Sequence, residues 1–150
     1  MFEKKRYSSS EDFYNKNQKD FEEVVKAKSK LMSMSELSQT GMALSVAEGL
    51  CFDFLNLKNK VSDLMFGLAA SVNDAKVQYK AIEGIFFRDS GVKTSAADKS
   101  KLVLAYPQYI EAHKNFNDLE DLYEFLKMKH TDFEGAYYYY RDISPSLARF

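Results

Sequence analysis

Residues 76–101 form the one clearly basic stretch of a chain that is otherwise close to neutral. The whole sequence has 21 Lys and Arg against 22 Asp and Glu, whereas this stretch has six cations and three acids. The cations are Lys76, Lys80, Arg88, Lys93, Lys99 and Lys101. Phe86 and Phe87 lie among them, and cations that neutralise phosphates beside rings that stack on bases are what sequence-independent binding of single strands requires. The alternative is a solvated helix end with no nucleic-acid partner.

A run of four tyrosines, Tyr137 to Tyr140, stands near the end of the sequence and is followed by Arg141. Four consecutive residues point to all sides of a helix, so some of these rings must face outward. Outward Tyr and Arg serve either base stacking or a protein interface. Residues 102–142 contain eight acids and four cations, which would repel a phosphate backbone and favour the protein interface. The predicted partner or oligomer interface comprises Tyr123, Phe133, Tyr137, Tyr138, Tyr139 and Tyr140.

Motifs for catalysis are missing from the sequence. It has no Gly-rich phosphate loop, nucleophile elbow, HExxH or paired-Cys motif. His113 and His130 are seventeen residues apart, too far along a helix to share one metal, so two interior or interface histidines are the simpler interpretation. Glu120 and Glu124 are explained by an exposed acidic helix face. We therefore predict no enzyme activity, no cofactor and no metal.

Hydrophobic periodicity predicts the elements that position these residues. Apolar residues recur every three, four or seven positions along two long stripes, as one face of a helix requires, and no β-alternation occurs. The first stripe runs through Leu37, Leu44, Ala47, Cys51, Phe54, Val61, Leu64, Leu68, Val72, Tyr79, Ile82 and Phe86. The second runs through Tyr109, His113, Phe116, Leu119, Tyr123, Leu126, His130, Phe133, Tyr137 and Tyr140. The fold class is thus all-α, with a long antiparallel helical hairpin that follows a short N-terminal helix.

The predicted boundaries make a single helical domain of residues 1–150. An N-terminal extension with a short helix spans 1–36, a long helix 37–88, a loop 89–98 and a returning helix 99–143. Ser33 and Glu36 have the spacing of a capping box and predict the start of the long helix, and Ser95 with Asp98 imitates a second one. Pro107 either begins the returning helix or kinks it. Two helices bury only one stripe each, so oligomerisation through the remaining faces is expected.

The second half of the sequence contains a series of short segments with a recognisable order. They are Tyr79-Lys80-Ala81, Ile85-Phe86-Phe87 before the predicted loop, residues 99–110, residues 117–126 and a Tyr- and Arg-rich end. In this order they resemble the C-terminal half of UvsY-type recombination mediators of tailed phages, and the resemblance covers roughly residues 60–143. It implies a homo-oligomeric ring that binds single-stranded DNA and helps a RecA-like recombinase to displace the single-strand-binding protein.

Residue by residue, the resemblance carries over only in part. Lys80 matches a basic position that is associated with DNA binding in the family, whereas the second basic position of that motif is Ile82 here. Lys76 on the same face or Arg88 further along could compensate for this departure. Residues 1–59 show no resemblance, and their length predicts an additional oligomerisation or partner-binding element.

The predicted function is that of a recombination mediator, in which the six cations hold the DNA backbone and Phe86 and Phe87 contact bases. The alternative is a non-catalytic structural or adaptor protein, such as a phage assembly component, that binds other proteins and no DNA. The N-terminus lacks the apolar run of a signal peptide, and no stretch has the roughly 18 charge-free apolar residues of a membrane span. This predicts a cytoplasmic protein, in the host cytoplasm if it is encoded by a phage, with no membrane partner.

Overall fold

The computed structural model describes residues 6–89, 95–104 and 106–147, with the backbone alone for residues 96, 97, 100, 146 and 147. Every regular element in these ranges is a helix, so the all-α prediction is confirmed. The five helices are α1 (Ser10–Lys26), α2 (Met34–Gln39), α3 (Ala43–Asp89), α4 (Ala96–Val103) and α5 (Pro107–Leu147). The two long helices, α3 and α5, pack together. Among the described helices, none has the length and hydropathy that crossing a membrane requires.

The long helix begins later than predicted, at Ala43 instead of residue 37. The capping box at Ser33 does form, because the Glu36 amide donates to the Ser33 hydroxyl and the Ser33 amide donates to the Glu36 carboxylate. It starts the six-residue helix α2, however, and not α3. Gly41 follows the Thr40 cap with a φ of 73°, a left-handed conformation that ends α2 and turns the chain before α3.

The predicted returning helix is two helices. Ser95 caps α4 by accepting a hydrogen bond from the Asp98 amide, as its spacing suggested. This helix ends at Val103, and α5 begins at Pro107. Pro is well suited to a first helical position, where the amide hydrogen it lacks has no partner within the helix. Pro107 therefore starts α5, which continues four residues beyond the predicted end at residue 143.

The chain forms two compact units. Unit 1 consists of Met1–Lys16 and Phe66–Glu124. Its buried residues come mostly from α3 and α5, and five of them, Leu68, Tyr79, Tyr109, Phe116 and Leu119, belong to the predicted stripes. The buried residues are Tyr7, Phe13, Leu68, Ser71, Ala75, Tyr79, Val103, Tyr109, Ala112, Phe116, Leu119 and Leu122. The hydroxyl of Ser71 accepts a hydrogen bond from the Tyr7 amide at 2.7 Å and donates to the Gly67 carbonyl, so it ties the segment before α1 to α3.

Unit 2 consists of Asn17–Met65 and Phe125–Phe150. Asn17, where unit 2 begins, is the residue at which α1 departs from helical geometry. The core of unit 2 contains Val24, Leu37, Ala47, Phe54, Val61, Leu64, Leu126, Phe133, Ala136, Tyr140 and Ile143. The ring of Phe54 stacks on that of Tyr140, with centroids 5.8 Å apart and planes within 2°. Lys60 also pairs with Glu23 of α1 at 2.6 Å.

Candidate nucleic-acid interface

Three predicted cations lie on one exposed row of α3 in unit 1. Lys76, Lys80 and Arg88 are separated by four and eight residues, and Gly84 occupies the position between Lys80 and Arg88. Each step of four residues advances about 6 Å along the helix, so the side chains follow one another down the same face. A Cβ atom at Gly84 would meet nothing within 4 Å, which leaves the helix backbone open at that step. The row is thus a basic strip that an extended polyanion can approach.

The three cations of this row make few ion pairs among the described residues, which favours ligand binding. Within the described residues, Lys76 and Lys80 make no ion pair, and the amine of Lys80 lies 5.5 Å from the centroid of the Tyr79 ring. Arg88 pairs with its neighbour Asp89 at 3.3 Å, which is its one ion pair among the described residues, and both side chains are largely exposed. Exposed ion pairs contribute little free energy, so this pair can open at low cost when a phosphate is present. All three cations are therefore available to a ligand.

The predicted cations beyond α3 have different roles. The amine of Lys99 is half-buried and donates to the Phe87 carbonyl at 3.1 Å. This bond satisfies one of the carbonyls that the end of α3 leaves unpaired, so Lys99 stabilises the junction between α3 and α4. Lys101 is exposed on α4. Lys93 lies outside the described residues.

Phe86 and Phe87 are both half-buried. The Phe86 ring packs against Tyr106 with centroids 5.2 Å apart, and it also contacts the Phe87 ring at 6.2 Å. Since aromatic pairs of this kind are stabilising, stacking a base on Phe86 would have to replace an existing ring contact. The geometry therefore gives these rings a structural role at the end of α3. Because both rings are half-buried, a ligand can contact only the exposed part of each.

The predicted tyrosine interface is divided between core and surface. In unit 2, Phe133 and Tyr140 are fully buried, so these two are core residues and not surface for a partner. Tyr137 and Tyr139 are half-buried, and Tyr138 is 41% exposed beneath the guanidinium of Arg141 at 4.5 Å. Tyr123, in unit 1, is half-buried.

The buried end of this run has a role that the sequence analysis missed. The Tyr140 hydroxyl donates to the Lys30 carbonyl and accepts a hydrogen bond from the Met32 amide at 3.0 Å. The Tyr139 hydroxyl donates to the Met32 carbonyl. Together they hold the non-helical segment 27–33 against α5. No local pattern could have shown this, because the partners are more than a hundred residues apart in sequence.

The two histidines lie in different units, His113 in unit 1 and His130 in unit 2. His113 is half-buried among Tyr109, Tyr79 and Phe116, and its Nδ1 shares a 3.2 Å hydrogen bond with the Asn117 amide group. The described residues contain no group of three or more His, Cys, Asp and Glu that could hold a metal ion.

Comparisons with known proteins give no match. The chain matches no protein-family model, no curated protein and no solved structure.

Proposed function

We propose that this protein is a non-catalytic, homo-oligomeric binder of single-stranded DNA. The observation that carries the proposal is the exposed row of Lys76, Lys80 and Arg88 on α3, with open backbone at Gly84. Cations spaced along one helix face neutralise successive phosphates without reading bases, which gives sequence-independent binding. A single row of three cations binds weakly, and repetition of the row in an oligomer raises the affinity through avidity.

The biological role follows from the resemblance to UvsY-type mediators. In this proposal the protein forms a ring, holds single-stranded DNA and promotes the loading of a RecA-like recombinase in place of the single-strand-binding protein, in the cytoplasm. Its α3 and α5 form the antiparallel hairpin of such a mediator. In unit 1 this arrangement is supported by two ring pairs, since Phe86 of α3 contacts Tyr106 just before α5, and Tyr79, earlier in α3, contacts Phe116, later in α5.

A second candidate is an adaptor protein that binds other proteins and no DNA. It is favoured by large apolar side chains on the same helix, since Phe66 is 63% exposed and Val77 is 61% exposed. Exposed apolar side chains on a helix face are typical of protein-binding surfaces.

Fluorescence anisotropy of a labelled single-stranded oligonucleotide, titrated with protein over a range of salt concentrations, tests the two candidates. We expect binding whose logarithm falls linearly with the logarithm of salt, because each neutralised phosphate releases counterions. The variant Lys76→Ala, Lys80→Ala, Arg88→Ala removes three such contacts, so the salt slope should become smaller in magnitude by about 2 and the affinity should fall at least about tenfold.

A matched control removes the same charge elsewhere. Lys19, Lys26 and Lys127 are exposed in unit 2, and the variant with Ala at all three should keep the wild-type salt slope. Equal losses in the two variants would mean that binding follows net charge and not the α3 row. An intact wild-type protein that shows no salt-sensitive binding would contradict the DNA proposal and leave the adaptor.

A further inference from the structure

Unit 2 has an apolar groove at the turn between α2 and α3, with one acidic residue in its lining. The groove has a volume of about 540 Å³ and is lined by Ser38, Gly41, Met42, Ala43, Leu44, Ser45 and Glu48. Met42 is 65% exposed and Leu44 is 37% exposed. The left-handed turn at Gly41 creates this geometry, because it ends α2 and places Met42 outside both helices. We call this surface the acidic groove.

Glu48 is the one charged residue among those that line the groove. The side chain of Glu48 is exposed and makes no ion pair within the described residues. An apolar groove with an unpaired carboxylate in its lining fits an apolar segment that carries a positive charge, since complementary charges orient an encounter and exclude wrong partners.

Unit 1 has a surface of that chemistry at the end of α4. Leu102 is 52% exposed and Leu104 is 64% exposed, and Lys101 is exposed beside them. Residues 99–110 contain two lysines and no acid. Lys101 makes no ion pair within the described residues, whereas Lys99 is committed to the Phe87 carbonyl. We call Lys101, Leu102 and Leu104 the α4 patch.

We propose that the α4 patch of one copy of this protein binds the acidic groove of a second copy. Leu102 and Leu104 enter the groove against Met42 and Leu44, and Lys101 pairs with Glu48 at its edge. Methionine is flexible and polarisable, so Met42 can adapt its shape to the incoming leucines. Both surfaces lose their exposed apolar area in this contact, and each charge gains a partner.

The two surfaces differ, so the contact is head-to-tail and leaves each copy with one further surface to engage. Such heterologous contacts produce closed rings or open filaments. The inference rests on the oligomeric part of the proposed function and identifies the surfaces that build the oligomer. It also assigns Lys101 to the subunit contact, so that DNA binding depends on the row on α3.

Charge reversal tests the pairing by sedimentation velocity over a range of protein concentrations. We expect Lys101→Glu and Glu48→Lys each to weaken self-association about tenfold or more, because each variant places like charges opposite one another. Mixing the two variants should restore assembly, since each interface between unlike copies then joins opposite charges. Leu104→Asp should also weaken assembly about tenfold or more, and mixing it with Lys101→Glu should not restore assembly, because both variants carry a defective α4 patch.

Control reversals at exposed residues outside both surfaces, Glu120→Lys and Lys127→Glu, should leave assembly unchanged, and far-ultraviolet circular dichroism checks that every variant is folded. Failure of the mixture to assemble, or assembly that stops at a dimer, overturns the inference. A wild-type protein that stays monomeric at all concentrations also overturns it. A monomeric wild type would also contradict the oligomeric part of the proposed function. The results with the variants leave DNA binding itself to the anisotropy assay, in which the variant lacking Lys76, Lys80 and Arg88 should assemble normally and fail to bind.

Discussion

Replacing Tyr140 with Phe removes a single hydroxyl that holds the segment 27–33 in unit 2. The ring itself is fully buried and stacks on Phe54, and Phe keeps both features. Two hydrogen bonds are lost, one to the Lys30 carbonyl and one from the Met32 amide. Each bond contributes about 1 kcal/mol net, and the half-buried Met32 amide is left without its acceptor, so we expect the free energy of unfolding to fall by about 2 kcal/mol.

Urea or thermal unfolding followed by circular dichroism measures this loss. For a chain of this length, 2 kcal/mol corresponds to a decrease in melting temperature of about 4–8 °C. The matched control is Tyr138→Phe, because Tyr138 is partly exposed and its hydroxyl makes no hydrogen bond within the described residues. That substitution should change stability by less than about 0.5 kcal/mol. Equal effects of the two substitutions would refute the proposed role of the Tyr140 hydroxyl.

The Tyr140→Phe substitution should also change how the free energy of unfolding depends on pH. Burial raises the pKa of Tyr140 above its ordinary value, and this effect outweighs the opposing hydrogen bond from the Met32 amide. Above about pH 10 the unfolded chain therefore releases a proton that the folded chain retains. Stability falls with rising pH wherever the unfolded state binds fewer protons, so the wild type should lose stability above pH 10 more steeply than Tyr140→Phe. Parallel pH profiles would contradict this assignment.

Two further substitutions probe other parts of the fold. Ser71→Ala should reduce the free energy of unfolding by about 1–3 kcal/mol, measured by urea titration, because the buried Tyr7 amide loses its acceptor. Gly41→Ala should cost about 1 kcal/mol or more, since its φ of 73° disfavours a Cβ although the space around it is open. Gly49→Ala, inside α3 and equally unobstructed, should instead raise stability by about 0.5–1 kcal/mol; the same sign for both glycines would refute the conformational argument.

The sequence was sufficient to predict the long helices, because their cores are built from residues at helical spacing. Leu68 of the first stripe and Leu119 of the second are fully buried, and more than half of the positions in each stripe are buried. The break between α2 and α3 was missed, since Leu37 and Leu44 continue the helical spacing across it. Only the backbone conformation of Gly41 shows that the helix stops there.

The sequence predicted which residues form the basic row of the candidate site, but not which side chains would bind distant parts of the chain instead. The neighbouring positions of Lys76 and Lys80 follow from helix geometry alone, and the structure places both on the surface. The role of Lys99 depends on a carbonyl twelve residues away in sequence, and that of Tyr140 on a segment more than a hundred residues away. Residue type and spacing give no information about such distant partners, because long-range packing selects them.

The tyrosine run and the basic row therefore affect different measurements. Tyr140 contributes to the folding free energy of unit 2 through Lys30 and Met32, whereas Lys76 and Lys80 make no ion pair within the described residues. Substitutions at sites that share no partner have nearly additive effects on stability. Combining Tyr140→Phe with the three α3 substitutions should thus lower the melting temperature as much as Tyr140→Phe alone, and should change the salt slope as much as the α3 substitutions alone. A basic row that served folding instead of a ligand would lower the melting temperature further.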